Sequence, residues 1–226
     1  MVAFFVFFSW SVQTDPSSIF NSHVASQASG RVHVTCKCIN SWTNGRVENR
    51  AEVGLRDGTS FGPALQGAFV EVNGHQLLFD KETQIYKGSI GKVEQWQRIP
   101  LLIQTQDGRN VKGYIAVVFM VRITHPKPFA TVPSNQKLPV AWEYSEGSMH
   151  TVDLEIHRDK GDPVGLEVIG NKTSIDFRKL GLEVDKGETI IIRVLPPWTS
   201  NYEFSGNLTR RSKAYFITDA TIAIRF

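Results

Sequence analysis

From residue 30 onward, apolar and polar positions alternate with a period of two, the signature of half-buried strands. Val32, Val34, Cys36 and Cys38 share one face, with His33, Thr35 and Lys37 on the other. This predicts a strand over 32–38, followed by a turn at Trp42-Thr43-Asn44-Gly45. Ala51, Val53 and Leu55 alternate with Arg50, Glu52 and Arg56 up to Asp57-Gly58, and FGPALQG reads as a loop. AFVEV and HQLLF flank Asn73-Gly74. Both central residues of a type I′ turn take positive φ, which Asn and Gly accept, so this is the clearest hairpin. Short strands are predicted at Tyr86–Ile90 and at Ile99–Thr105, the latter closed by Asp107-Gly108. Residues 111–123 read as one long strand or as two meeting near Gly113.

The segment THPKPFATVPSNQKLP, residues 124–139, carries four prolines. Each removes a backbone donor and fixes φ, so neither a helix nor a central strand runs through it. Beyond it the strand pattern resumes in LPVAWEYS, with a turn at Glu146-Gly147. Thr151–His157 places Val152, Leu154 and Ile156 on one face, and a turn follows at Lys160-Gly161-Asp162-Pro163. A short strand at 165–169 comes next. Residues 173–182 are open between a helical turn and a loop-strand. The β-branched run TIIIRVL ends at Pro196-Pro197, and strands at 202–208 and 214–226 complete the chain. Strands recur roughly every 8 to 12 residues with Gly, Pro, Asn and Asp between them, which is sandwich or barrel spacing. The expected fold is all-β: two tandem Ig-like β-sandwich domains with little or no helix. The expected divisions are an apolar segment and linker over 1–29, one sandwich over 30–125 and a second over 126–226.

Val2–Val12 reads VAFFVFFSWSV, the length of a signal-peptide apolar region. It lacks a basic start, and the small-residue site Ser26-Gln27-Ala28 lies far from it. An export or anchor signal is the first reading. A strand packing on a neighbour is the second, because so β-prone a run is an aggregation hazard when exposed.

Composition narrows the partners. The chain has 226 residues, 41% hydrophobic and 21% charged, with a net charge of +3 and a pI near 8.9. The basic residues are scattered, with Arg178-Lys179 and Arg210-Arg211 the only adjacent pairs, so no nucleic-acid stripe is present. Protein partners or self-association through 2–12, or a glycan, are the partners left open; nucleic acid is not expected.

Residues 65–113 run LQGAFVEVNG, a short hairpin, YKGSI, then IPLLIQTQDGRNVKG. This cadence resembles a bacterial Ig-like or transthyretin-like module. Residues 137–157, with Trp142 in LPVAW and then TVDLEI, are similar to the opening of a fibronectin type III-like sandwich. The resemblance implies that Trp142 fills a core between sheets. It also implies a secreted or cell-envelope setting, where such modules serve as spacers or binding units. A superfold does not fix a function.

The candidate chemistry is sparse. Cys36 and Cys38 lack the further donors a zinc site needs, and on a strand their Cα atoms lie ~7 Å apart, near the limit for a disulfide. They are expected as buried free thiols, with intermolecular pairing of Cys36 or Cys38 as the alternative. None of the six histidines falls in a metal or catalytic motif, and all are expected as surface or hairpin residues. Asp153 and Glu155 share the face opposite an apolar one, so no glycosidase pair is expected there. No cofactor is implied. Trp42 and Trp198 sit in turn-like contexts, and with Tyr202 nearby such exposed rings could stack on a sugar or plug a protein groove. The expected protein is therefore a non-enzymatic exported or envelope structural and adhesive unit, a subunit of a surface assembly. The alternative is a carbohydrate- or protein-binding module using Trp42, Trp198 and Tyr202.

Overall fold

The structure, a computed structural model, describes residues 30–133, 137–144, 151–158 and 161–226. Among these residues there are strands and turns but no helix. The strands are β1 (Val32–Thr43), β2 (Arg46–Asp57), β3 (Phe69–Val72), β4 (His75–Gln76), β5 (Leu78–Asp80), β6 (Ile85–Ser89), β7 (Arg98–Gln104) and β8 (Asn110–Ala116). They continue as β9 (Val121–His125), β10 (Leu138–Tyr144), β11 (Thr151–His157), β12 (Val164–Ile169), β13 (Lys172–Ile175), β14 (Thr189–Leu195), β15 (Tyr202–Gly206) and β16 (Lys213–Arg225).

Three sheets enclose two hydrophobic cores. An eight-stranded sheet, β12-β11-β14-β16-β1-β2-β6-β5, backs both. The five-stranded sheet β15-β8-β7-β3-β4 faces it over the first core, and β13-β10-β9 faces it over the second. The all-β sandwich architecture agrees with the Ig- and fibronectin-like resemblance at the level of the superfold.

One strand joins the two cores. Lys213–Thr221 of β16 run parallel to Thr35–Thr43 of β1, while Ala220–Arg225 pair antiparallel with β14. Because alternate residues point inward, Ala214 and Phe216 enter the first core and Ala220, Ile222 and Ile224 enter the second. Where β1 turns away at Asn44, residues 129–132 take its place: Phe129 N donates to Ala223 O and Val132 N to Arg225 O. Pro126, Pro128 and Pro133 thus lie between β9 and β10, outside any strand, whereas Pro139, contrary to expectation, sits within β10, the middle strand of its sheet, opposite Ser174. Residues 202–216, although beyond residue 126, pack with the first core.

The Asn73-Gly74 hairpin is as predicted, with φ of 53° and 77°. Its second arm is only β4; Leu77 is buried at a corner, and β5 passes to the eight-stranded sheet. Two further expectations are corrected, and the alternative left open at 173–182 is decided. Trp42 and Thr43 belong to β1, and the turn is Asn44-Gly45 alone. The break in 111–123 falls at 117–120, not at Gly113. Residues 173–182 form the end of β13 and turns, with no helix. Gly113 has a different role: a Cβ there would lie 2.1 Å from Glu203 O, so the bare backbone admits β15. Of the predicted turns, Glu146-Gly147 and Lys160 lie outside the described residues, as does the segment 1–29. Trp142 fills the second core at 1% exposure.

Arg109 pins the far end of the first core. Its Nη1 donates to Asp57 Oδ1 at 2.5 Å and to Arg31 O at 2.9 Å, while Nε and Nη2 donate to Asp107 at 2.9 and 2.5 Å. This one guanidinium ties the start of β1 and the end of β2 to the β7–β8 hairpin. The same bonds, with one from Thr105, hold the Asp107 carboxyl far below its ordinary range.

Candidate functional site

Where β16 passes from one core to the other, a cleft of about 730 Å³ opens on the inner side of the eight-stranded sheet. Its floor is the end of β1 and the start of β2, where Asn40 and Trp42 stand beside Val47, Glu48 and Asn49. One wall is Ser89 at the end of β6 and the loop that follows, with Gly91, Lys92 and Val93. The opposite wall is Met120, Val121 and Arg122, with Glu143 and Tyr144 from β10.

The alternation of β1 builds this floor. Its inward register runs Val32, Val34, Cys36, Cys38, Asn40, Trp42, so the two residues past the thiols point into the space between the cores. Trp42, half-buried, packs against the second core. Tyr144 meets Phe119 edge-on with ring centroids 5.9 Å apart, and its hydroxyl accepts from Trp142 Nε1 at 3.1 Å. Burial raises the Tyr144 pKa, partly offset by that hydrogen bond. Val47 is 59% exposed at the rim. The charged rim includes Arg122, whose Nε and Nη2 donate to Glu143 Oε2 at 3.0 and 2.6 Å. Both side chains are more than half exposed, so this pair contributes at most ~1 kcal/mol.

A hydrogen-bonded row lies under the floor. Val121 N donates to Thr218 Oγ1 at 3.2 Å, Thr218 Oγ1 to Asn40 Oδ1 at 3.2 Å, and Asn40 Nδ2 to Asn49 Oδ1 at 2.7 Å. On the outer face of the sheet a second polar row crosses the same junction. Asp219 accepts from Ser41 Oγ at 2.6 Å and from Arg193 Nε and Nη2 at 3.1 and 3.0 Å. Arg193 also stands 3.8 Å from Glu155, which bonds His157 at 3.0 Å. The two rows fasten the strands that span the cores.

The structure disperses the aromatic candidates. Trp42 lines the cleft. Trp198, 47% exposed, lies on the outer face, edge-on to Tyr215 at 6.0 Å and with Lys37 Nζ 5.8 Å from its ring. Tyr202 packs on the margin of the first core and donates its hydroxyl to Ser212 O at 2.9 Å. Cys36 and Cys38 are fully buried free thiols in the first core. A hydrogen bond in which the Cys36 thiol donates to the neighbouring Cys38, together with burial, pushes the Cys36 thiol well up, so it stays protonated. Among the described residues no cluster of three or more metal-ligating side chains occurs, and no helix is long and apolar enough to cross a membrane.

Asn40, Asn49, Val47, Met120 and Thr218 were not candidates in the sequence. The signal was there for two of them: extending the inward register of β1 and β2 by one step places Asn40 opposite Asn49. Met120 and Thr218 reach the junction only through tertiary packing.

No protein-family model and no curated protein matches the chain. Among solved structures the chain is similar to the fibronectin(III)-like modules of Clostridium thermocellum CbhA, at 12% identity over 83% of this chain and 94% of that one, with a TM-score of 0.25. A likeness at that score carries no argument about fold or function, which rest on the strand pairing and the cleft.

Proposed function

We propose that this protein is a non-enzymatic binding and structural unit, exported or attached to the cell envelope, whose ligand seats in the cleft between its two cores. The observation that carries this reading is the cleft itself. It is concave, falls within the ~300–1,000 Å³ typical of ligand pockets, and combines apolar side chains with a few polar groups. Its floor comes from β1 and β2, which run into a packed core, so it is preformed rather than assembled on binding. The reading favours Trp42 over Trp198 and Tyr202 as the aromatic contact. Export is supported by the apolar run Val2–Val12.

Peptide and glycan arrays probed with the full chain test the binding reading, with Trp42→Ala and Val47→Asp as cleft variants. A ligand whose retention falls at least tenfold in both variants supports it. Ligands bound equally by all three proteins would place recognition elsewhere. Mass spectrometry of the protein recovered from its own host tests export: processing near Ala28 supports it, and a retained Met1 in a cytosolic fraction counts against it.

A further inference from the structure

We infer that the side-chain amide of Asn49 is the ligand-recognising donor of the cleft, and that the ligand is a short apolar peptide segment whose backbone carbonyl accepts from Asn49 Nδ2. This rests on the cleft being the binding site.

The polarity of the buried row decides the point. Amide oxygen and nitrogen are easily interchanged in isolation, but here one end of the row is a backbone N–H, which can only donate. Val121 N therefore gives its proton to Thr218 Oγ1, and the Thr218 hydroxyl proton goes on to Asn40 Oδ1. Asn40 must then donate through Nδ2, and Asn49 must receive through Oδ1. With the row running in this direction, Asn49 Nδ2 is left facing onward as a donor. Asn49 is 8% exposed and lines the cleft, and its Nδ2 makes no hydrogen bond among the described residues. Among the described residues no buried side-chain nitrogen or oxygen lacks a partner, so Asn49 Nδ2 opens onto the cleft, where a ligand acceptor would replace water.

The surroundings select the kind of acceptor. Ser89 Oγ is turned to Asn49 O, and the Tyr144 hydroxyl accepts from Trp142. What remains around Asn49 is mainly apolar: Trp42, Val47, Val93 and Met120. A sugar ring would bring several hydroxyls against these side chains, each costing ~1–3 kcal/mol where it lost water without a partner. An apolar peptide segment brings one carbonyl to Asn49 Nδ2 and alkyl or aromatic groups to the apolar lining.

The test is NMR titration of the full-length protein with the capped peptide Ac-Val-Phe-Leu-Val-NH2, alongside Ac-Ser-Gly-Ser-Gly-NH2 and cellotetraose. The apolar peptide should shift the Asn49 side-chain amide and Trp42 indole resonances in a saturable way, and the other two probes should not. Asn49→Asp keeps an oxygen to accept from Asn40 and replaces the donor with a second acceptor; it should weaken the peptide at least tenfold with the same Tm within a few degrees. Asn49→Gln, which retains a donor, serves as a second variant and should bind more tightly than Asn49→Asp. Saturable binding of cellotetraose at Trp42 would overturn the inference while leaving the cleft as a binding site. Equal peptide affinity in wild type and Asn49→Asp would also overturn it. No cleft-dependent ligand of any class in the arrays would instead remove the function on which it rests.

Discussion

A single residue shows how burial can arise far from the position that suffers it. His33 lies on the outer register of β1, where alternation predicts solvent, yet it is 6% exposed. The chain returns at residues 208–213 and covers it, with Thr209 Oγ1 3.0 Å from His33 Nδ1. Burial, then the positive charges of Arg211 and Lys213, lower the His33 pKa. Since its folded pKa lies below the unfolded ~6.5, the unfolded chain takes up the proton first. The stability from neutral His33 is full above pH ~6.5 and declines as pH falls through the folded pKa. Thermal melts from pH 8 to pH 5 should therefore show a steeper loss of Tm in wild type than in His33→Gln; parallel slopes would reject the account. The thiols behave in the opposite sense, because the sequence places them where they are found. Cys36 and Cys38 should stay silent to a thiol reagent in the native protein and both react in denaturant, as the absorbance of the released chromophore reports.

At the scale of the element, most strands were legible because their apolar residues recur every second position. β1, β2, β11, β14 and β16 are long or β-branched enough for that alternation to outweigh local noise. The misread pieces had another cause. Gly113 suggested a break, whereas it is a point of close approach by β15, and 117–120 interrupts the pattern without any turn residue. Gly113→Ala should force Glu203 and Phe204 away from β8 and cost ~1–3 kcal/mol through overpacking. Circular dichroism melts read that loss, and an unchanged Tm would mean that β15 is free to shift. Arg109→Met should be costlier than any rim charge, since it strands Asp57 and Asp107 together, and a denaturation midpoint shared with wild type would contradict the clamp.

At the scale of the whole molecule, the pattern of residues could reveal two cores but not their joint ownership of β16. Pairing partners are invisible to periodicity: nothing in Lys213–Thr221 announces Thr35–Thr43 as its neighbour. The cleft was legible only in part for the same reason. Trp42 could be singled out as an aromatic, but the wall supplied by β9 and β10 depends on how the second core is seated. Shared β16 makes the cores depend on each other, so heating should give one calorimetric transition with equal calorimetric and van't Hoff enthalpies. Two resolved transitions would show that the cores unfold independently. Deleting residues 213–226 should unfold both cores rather than the second alone, which intrinsic fluorescence of Trp42 and Trp142 would register.

The parallel pairing of β1 with β16 also sets an order of events during synthesis. Partners in that pairing are 178 residues apart, as Ser41 and Asp219 are. As the chain emerges from the ribosome, β1 finds β2 at once, but its other edge stays open until residues 213–221 have been made. The first core is begun first but cannot close until β16 is made, so one edge of β1 stays unpaired while residues 44–212 are added. Non-local closure of this kind slows folding. A cell making this protein therefore has to shield that edge, or delay β1 from settling, until residues 213–221 arrive.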